Sequence, residues 1–100
     1  MSFQLVITPD AQRDIDETHS WYEQKQGGVG SRFILALRGR FGSILLAPNY
    51  PRAFGRKSLR KVNIPGWPYS IYYQILEEEV RVVAVVHGAR DPKYLNYRLR

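Results

Sequence analysis

Arginine and lysine are the residues through which this chain is best equipped to bind or react. Its 100 residues include 15 Lys and Arg against 9 Asp and Glu, a formal net charge of +6. Eleven of the bases are arginine, whose planar guanidinium makes two-pronged contacts with phosphate and carboxylate groups. Residues 24–76 contain nine bases and no acid. The pattern predicts a polyanionic or acidic partner; the alternative is a basic surface that only keeps the protein soluble.

Cysteine and histidine offer little further chemistry. The chain has no cysteine and two histidines, which excludes a disulfide framework, a thiolate metal site and a cysteine nucleophile. An imidazole titrates near neutral pH, so His87 could transfer a proton, but a lone histidine at a strand end is more often structural. We therefore predict no cofactor and no metal.

Acidic side chains are expected to serve solubility. Four of them lie beyond the first turn of one predicted helix: Asp14, Asp16, Glu17 and Glu23. Their spacing places them along a solvated face of that helix rather than in a catalytic carboxylate pair. The run Glu77–Glu79, between two apolar segments, is most simply a hairpin turn.

The first half of the chain predicts a strand and a helical hairpin that would position these groups. Alternating apolar residues at 3–7 indicate a short strand, and Thr8-Pro9-Asp10 supplies a helix cap, a first-turn proline and an early acid. Apolar residues at helical spacing continue to Gly27-Gly28 and resume from Val29 to Pro48. Two helices joined by a short glycine link form a hairpin.

Two glycines interrupt the second predicted helix. Gly39 and Gly42 each cost about 1 kcal/mol of helix propensity relative to alanine. A helix that keeps such residues often does so because another backbone packs closely against it. We expect that compensation here.

The second half predicts a three-stranded antiparallel meander. Its strands are expected at residues 59–64, 69–76 and 80–87, after a mobile basic loop at Phe54–Lys57. Valines occupy both the even and the odd positions of the last strand. This pattern implies burial on both faces, which predicts that the strand lies in the centre of the sheet.

A short tail follows the meander. Asp91-Pro92 predicts the start of a turn or short helix that carries Tyr94, Leu95 and Tyr97. The predicted class is α+β in the order βααβββ, a helical hairpin packed on a small antiparallel sheet with a short C-terminal turn or helix. A chain of this length predicts one domain over residues 1–100.

Several segments together resemble one known superfamily. In chain order they are Trp21-Tyr22, the Gly-Val-Gly at 28–30 with Arg32-Phe33, Pro48 and Pro51, the run Pro68–Tyr73, and Val83–His87 leading to Arg90-Asp91-Pro92. Over nearly the whole chain they resemble the RelE/ParE superfamily of type II toxin–antitoxin toxins, of the plasmid-stabilisation type. The resemblance implies a small prokaryotic toxin that a cognate antitoxin neutralises.

Members of this superfamily divide by target: some cut mRNA on the ribosome, and others inhibit DNA gyrase. The ribonuclease members carry alternating lysines on the strand after the helices, an arginine near the start of the next strand, and an arginine and a tyrosine beyond the last. Lys61, Arg90 and Tyr97 match three of these positions. Asn63 stands where the second lysine would be, and Ser70 where the strand arginine would be. The chain therefore lacks two of the cations that the ribonuclease members carry.

The incomplete match favours a ParE-like toxin that acts by binding gyrase. Its contact surface is then expected on the basic loop and the tail. The target-binding candidates are Arg52, Arg56, Lys57, Arg60, Lys61, Arg90, Tyr94 and Arg98. We expect the tail from Arg90 onward to contribute more to toxicity than to folding.

Two alternatives stay open. The first is a ribosome-dependent, metal-independent mRNA endoribonuclease, in which proton transfer and charge stabilisation fall to Lys61, Arg60, Arg90 and Tyr97, or Tyr94 if the tail shifts in register. The second is a basic nucleic-acid-binding module without toxicity. Under every hypothesis Arg60 and Lys61 could instead be charges on a solvated edge strand that deter aggregation.

The chain is expected in the cytoplasm. Its start lacks the basic and then apolar pattern of an export signal, and its longest apolar stretches are far too short to cross a bilayer. The predicted partners are a small, acidic, partly disordered antitoxin and either DNA gyrase or the ribosome with its mRNA. No membrane partner is expected.

Overall fold

The computed structural model describes residues 2–100, in which two helices pack against a four-stranded sheet. The elements are β1 (Gln4–Ile7), α1 (Pro9–Lys25), α2 (Val29–Leu46), β2 (Arg60–Asn63), β3 (Tyr69–Leu76), β4 (Glu79–His87) and a C-terminal 3₁₀ helix (Pro92–Arg98), here called the tail helix. The predicted α+β class, the order βααβββ and the short C-terminal helix are confirmed. None of the helices in the described range is long and apolar enough to cross a membrane.

Helix α1 begins at the predicted cap. The Thr8 hydroxyl accepts a hydrogen bond from the Ala11 amide at 3.1 Å, and Pro9 occupies the first turn. Such a cap satisfies one of the amides that the first turn leaves without a partner and stabilises a helix by about 1 kcal/mol. Ala11, Ile15 and Thr18 form the buried face of the helix.

Glu23 closes the link between the helices. Gly28 adopts φ +90° at the start of α2, a conformation that favours glycine. The Glu23 carboxylate accepts hydrogen bonds from the amides of Gly28 at 3.1 Å and Ser31 at 3.2 Å. These backbone bonds, that from Gly28 foremost, hold the pKa of Glu23 below its ordinary value. The prediction that this acid serves only solubility is wrong, because its charge satisfies a helix N-terminus.

Glu23→Gln is expected to make the protein less sensitive to acid. A carboxyl whose pKa is lowered by folding contributes stability above its unfolded pKa, near 4.5, and that contribution is lost as the pH falls through the folded pKa. The difference in unfolding free energy between wild type and variant should therefore shrink from pH 7 to pH 3 in urea titrations. Glu17→Gln, at an exposed position of the same helix, is the control. A difference that stays constant over this pH range would contradict the assignment.

The sheet has the strand order β1-β4-β3-β2. Strands β2, β3 and β4 form the predicted antiparallel meander, and β1 joins it parallel to β4, so the complete sheet is mixed. β4 is central, as its valines predicted, and the residues from Val82 to Val85 are at most 1% exposed. A parallel neighbour on one side and an antiparallel neighbour on the other bury this strand within the sheet.

A β-bulge lets β4 supply both faces of the sheet. Tyr72 pairs with Ala84 and Tyr73 with Val82, which leaves Val83 as the extra residue. Val82 joins the core beneath the helices, whereas Val83 and Ala84 join a second, smaller core on the opposite face. The tail helix covers that second core with Leu95, whose side chain is completely buried.

The expected close backbone approach occurs at another glycine. Apart from its chain neighbours and the backbone of its own helix, a Cβ added to Gly39 or Gly42 would meet no atom of residues 2–100 within 4 Å, so the prediction of a packed neighbour at these two positions is wrong. A Cβ on Gly30 would lie 2.6 Å from the His19 carbonyl oxygen and from Glu23 Cγ. Gly30 is therefore the residue that allows α1 and α2 to touch.

Alanine at the three glycines is expected to have opposite effects. Gly39→Ala and Gly42→Ala should each raise the unfolding free energy by about 1 kcal/mol, the difference in helix propensity. Gly30→Ala should lower it by about 1–3 kcal/mol, since the added methyl group overpacks a helix contact made of backbone. Urea unfolding of the three variants measures both signs. Stabilisation by Gly30→Ala would contradict the close approach.

Candidate functional site

Lys61 and Arg60, adjacent on edge strand β2, lie on opposite faces of the sheet. Side chains alternate along a strand, and Arg60 pairs in register with Tyr73 whereas Lys61 pairs with Tyr72. The Arg60 guanidinium donates to the carbonyls of Asn49 at 3.1 Å and Pro51 at 2.6 Å, on the side of the helices. The structure therefore does not bring Arg60 and Lys61 into one site.

Lys61 is partly buried on the tail side of the sheet. Its ammonium group donates to the Gly88 carbonyl at 3.0 Å and lies 5.8 Å from the centre of the Tyr72 ring. Gly88 follows β4 directly, so the Lys61 side chain links the edge strand β2 to the C-terminal end of the central strand β4. Half-buried and hydrogen-bonded, this lysine differs from the solvated edge charge of the alternative hypothesis.

Asn63 and Ser70 form a neutral pair. They face each other in register across β2 and β3, and the Ser70 hydroxyl donates to the Asn63 side-chain carbonyl at 2.8 Å. Ser70 is 1% exposed. The Asn63 main-chain carbonyl is taken by the Arg40 side chain at 2.9 Å. The two positions that would be cationic in a ribonuclease thus satisfy each other without any charge.

Two buried phenols lie near the exit of β4. Within residues 2–100 the hydroxyls of Tyr72 and Tyr94 have no hydrogen-bond partner. Burial raises the pKa of both, helped at Tyr72 by the nearby charge of Asp91 and opposed at Tyr94 by Arg90, whose guanidinium lies 4.0 Å from the centre of the Tyr94 ring. Both phenols are therefore protonated at neutral pH, so they can donate a hydrogen bond but cannot act as bases.

Arg98 is held inside the fold. Its guanidinium donates to Asp14 at 2.6 and 3.2 Å and to the Val83 carbonyl at 3.0 Å, and its side chain is 10% exposed. Burial alone lowers the pKa of Arg98, but hydrogen bonds to Asp14 and Tyr97 outweigh this effect and hold the pKa above its ordinary value. Arg98 is thus occupied within the molecule rather than presented to a target.

Asp14 supplies a hydrogen-bond acceptor to the central strand β4 where β1 has ended. The pairing of β1 with β4 ends at Ile7 and Val82, and the Thr8 amide makes a last bond to the Val82 carbonyl. Beyond that point Asp14 accepts from the Val85 amide at 3.0 Å. The prediction that Asp14 is a solvated surface acid is wrong, because β4 is longer than β1 and α1 places a carboxylate where the next strand would have supplied a carbonyl.

The basic loop is a tight turn that faces the tail. Phe54 and Leu59 bridge each other with two 2.9 Å backbone bonds, and Ser58 adopts φ +53° between them. The buried Gln74 amide donates to the main-chain oxygens of Lys57 at 2.9 Å and Arg100 at 3.2 Å. One β3 side chain thereby fixes both loop and tail. The loop that was expected to be mobile is a hydrogen-bonded turn. Its cations Arg56 and Lys57 remain exposed.

Comparison with known protein families identifies the family to which this chain belongs. Residues 5–92 match the family described as the ParE toxin of the type II toxin–antitoxin system parDE. The chain belongs to the ParE toxin family. The predicted membership of the RelE/ParE superfamily is thereby confirmed. No curated protein sequence matches the chain significantly.

Solved structures share the fold of this ParE-family chain. A chain of the chromosomal ParDE system from P. aeruginosa superposes with a TM-score of 0.76 at 16% identity, covering 85% of this chain and 95% of that one. A mutant of the E. coli toxin RelE in its free state gives 0.68 at 14% identity over 99% and 95%. The intact E. coli RelBE toxin–antitoxin complex contains a chain that gives 0.60 at 19% identity over 88% and 99%. Both branches of the superfamily thus share this fold.

The other predicted site residues of the ParE-family chain are dispersed. Arg52 is exposed, and Tyr97 is 72% exposed, with its hydroxyl accepting from Arg98 Nε at 3.1 Å. His87 is exposed, and its Nδ1 accepts from the Ala89 amide at 3.2 Å. In the part of the chain that the structure describes, no group of three His, Cys, Asp or Glu could hold a metal ion.

The residues that sequence reasoning missed are polar groups in the core. Asp14 and Gln74 are polar side chains on segments of regular apolar pattern, and each contacts residues far away in the chain. One weak signal was present: Gln74 interrupts a strand of aromatic and β-branched residues, where a polar residue is buried only if it has partners. Which partners it has depends on the tertiary fold.

Proposed function

We propose that this ParE-family toxin inhibits growth by binding DNA gyrase and that a cognate antitoxin neutralises it. The observation that carries the proposal is the neutral Asn63–Ser70 pair, since metal-free RNA cleavage needs cations beside the scissile phosphate. The Asn63 amide and the Ser70 hydroxyl are hydrogen-bonded to each other, and neither group supplies a positive charge.

The remaining catalytic candidates support binding over cleavage. Lys61 donates to a main-chain carbonyl, and Arg60 lies on the other face of the sheet. The phenols of Tyr72 and Tyr94, with raised pKa values, stay protonated. General base catalysis needs a group that accepts a proton near neutral pH, and neither phenol does so.

The proposed target surface comprises the exposed cations of the basic turn and the tail: Arg52, Arg56, Lys57 and Arg90, with Tyr94 beneath Arg90. Arg60, Lys61 and Arg98 leave the set of direct contacts, because each is partly buried as well as hydrogen-bonded within the molecule, whereas the four retained cationic side chains are exposed. Exposed arginines contribute little to stability and are available for carboxylates or phosphates of a target. They also steer the approach of an acidic surface.

The proposed antitoxin is an acidic polypeptide that orders on the toxin. The structures of similar fold include the ParDE system of P. aeruginosa and the RelBE toxin–antitoxin complex of E. coli. The basic span 24–76 supplies the complementary charge, and segments that fold on binding can cover a large surface. Co-expression of the toxin with a neighbouring small acidic reading frame, followed by pull-down, tests this partner.

Purified toxin is expected to inhibit supercoiling by gyrase in vitro. The double variant Arg56→Glu/Lys57→Glu should weaken this inhibition about ten-fold or more, since reversing charges in an interface adds repulsion to the lost attraction. Arg32→Glu/Arg38→Glu, at exposed positions of α2, is the matched control and should inhibit normally. Thermal melting verifies that both variants are folded. Cleavage of mRNA on translating ribosomes, with supercoiling unchanged, would sink the gyrase proposal in favour of the ribonuclease.

A further inference from the structure

A cleft of about 470 Å³ separates the basic turn from the tail helix. Its apolar lining includes Phe54, Leu59 and Leu99, and its cationic lining consists of Arg56, Lys57 and Lys93. Leu59 is buried, Phe54 is 38% exposed, and the three cations are exposed. The cleft thus combines an apolar floor with a basic rim.

Both walls of the cleft are held by contacts within the chain. The Phe54–Leu59 bridge fixes the turn, and the Gln74 amide holds the Lys57 carbonyl. The Lys57 ammonium donates to the Leu99 carbonyl at 3.3 Å, which joins the turn to the tail across the cleft. A site that is already formed binds with a smaller loss of conformational entropy than one that must be ordered.

The positive charge of the rim indicates what kind of partner the cleft can bind. One acid, Asp91, lines the cleft among the described residues, and its carboxylate caps the tail helix by accepting from the Lys93 amide at 2.9 Å. The three cations therefore outnumber an acid that is already engaged. A second copy of this chain would carry a net charge of +6 of its own, so the charges favour an acidic polypeptide from another protein.

We propose that this cleft binds an acidic, extended segment of a partner polypeptide through one large apolar side chain. The apolar side chain enters between Leu59 and Leu99 beside the Phe54 ring, and flanking carboxylates pair with Arg56, Lys57 and Lys93. A nucleic acid would leave this aliphatic floor without a matching group. The antitoxin is the protein expected to carry the segment, and in that respect the inference rests on the proposed function.

Fluorescence anisotropy with labelled synthetic peptides tests the cleft on the full chain. The probe is a blocked peptide of glutamate and serine around one central phenylalanine. Two matched peptides replace either the phenylalanine with alanine or the glutamates with glutamine. We expect the first peptide to bind, and each replacement to weaken its binding by about ten-fold or more, because anchor and charge act together.

Substitutions in the protein locate the binding. Phe54→Ser and Lys93→Glu should each weaken the acidic phenylalanine peptide by about five-fold or more, since they remove an anchor contact and a rim charge. Leu35→Ser and Arg38→Glu make the same chemical changes at exposed positions of α2 and should leave binding unchanged. Equal losses in the α2 variants, or no binding of the peptide by the wild type, would overturn the proposal.

Two further results would reassign the cleft. Oligouridine that binds tightly, displaces the peptide and loses affinity in Phe54→Ser would identify a nucleic-acid site. Self-association in sedimentation that Phe54→Ser abolishes would identify a second copy as the occupant. The peptide titration contains no gyrase, so it can fail while supercoiling is still inhibited; equally, peptide binding without inhibition would leave the cleft standing and refute the gyrase proposal.

Discussion

Replacing Asp14 with alanine is expected to lower the free energy of unfolding by about 3–5 kcal/mol, because it removes the main counter-charge of the buried Arg98 guanidinium. Asp14 and Arg98 are 13% and 10% exposed, and Asp14 also accepts from the Val85 amide. The variant therefore leaves the Val85 amide without its side-chain acceptor, and it leaves the Arg98 guanidinium with two uncharged acceptors and the more distant Asp10 carboxylate at 3.9 Å. In a domain of this size each kcal/mol corresponds to roughly 4–8 °C in melting temperature, which circular dichroism measures readily.

Asp16→Ala is the matched control for Asp14→Ala. Asp16 lies on the exposed side of α1, where it accepts from the Gln12 side chain at 2.9 Å, so its loss should change stability by less than about 0.5 kcal/mol. The double variant Asp14→Leu/Arg98→Met removes both charges together and should be less destabilised than Asp14→Ala, since no buried charge stays unpaired. Equal effects at Asp14 and Asp16 would contradict the assigned role.

Leu95→Ala is expected to destabilise the protein by about 2–5 kcal/mol, the range for removing a fully buried leucine side chain. Leu95 is 0% exposed and packs with Tyr72, Val83 and Ala84 in the second core. The tail helix is therefore part of the fold, and the expectation that the tail contributes more to toxicity than to folding stays a prediction. Urea unfolding of the variant gives the loss directly.

Asn96→Ala tests whether the effect of Leu95→Ala comes from burial. Asn96 is the next residue of the same short helix but is exposed, so its substitution should stay within about 0.5 kcal/mol of wild type. A small loss for both variants would mean that the tail lies on the sheet without supporting it.

The elements that could be predicted depend on neighbours in the sequence. The Thr8 cap, the two-helix hairpin and the meander follow from periodicity and turn residues, and the central position of β4 follows from its valines. These signals span a few residues each, so one sequence is enough to reveal them.

The parts that could not be predicted depend on distant strands. Whether Asp14 is exposed is decided by β4 continuing beyond the end of β1, a difference in strand length that appears only once the sheet is assembled. Arg60 and Lys61 were grouped because they are adjacent in sequence, yet a strand places adjacent side chains on opposite faces. Gly30 could not be distinguished from Gly39 or Gly42 without knowing which helix face meets α1.

The Asp14–Arg98 contact spans 84 positions of the chain, and this distance orders events during synthesis. At about 5–20 residues per second, roughly 4–17 s separate the translation of the two residues. The Val83 carbonyl and the second core also gain their partners only when the tail is made. Residues 77–98 take about 1–4 s to translate at that rate, so for this time each nascent toxin has its basic segment 24–76 complete while its fold is still open.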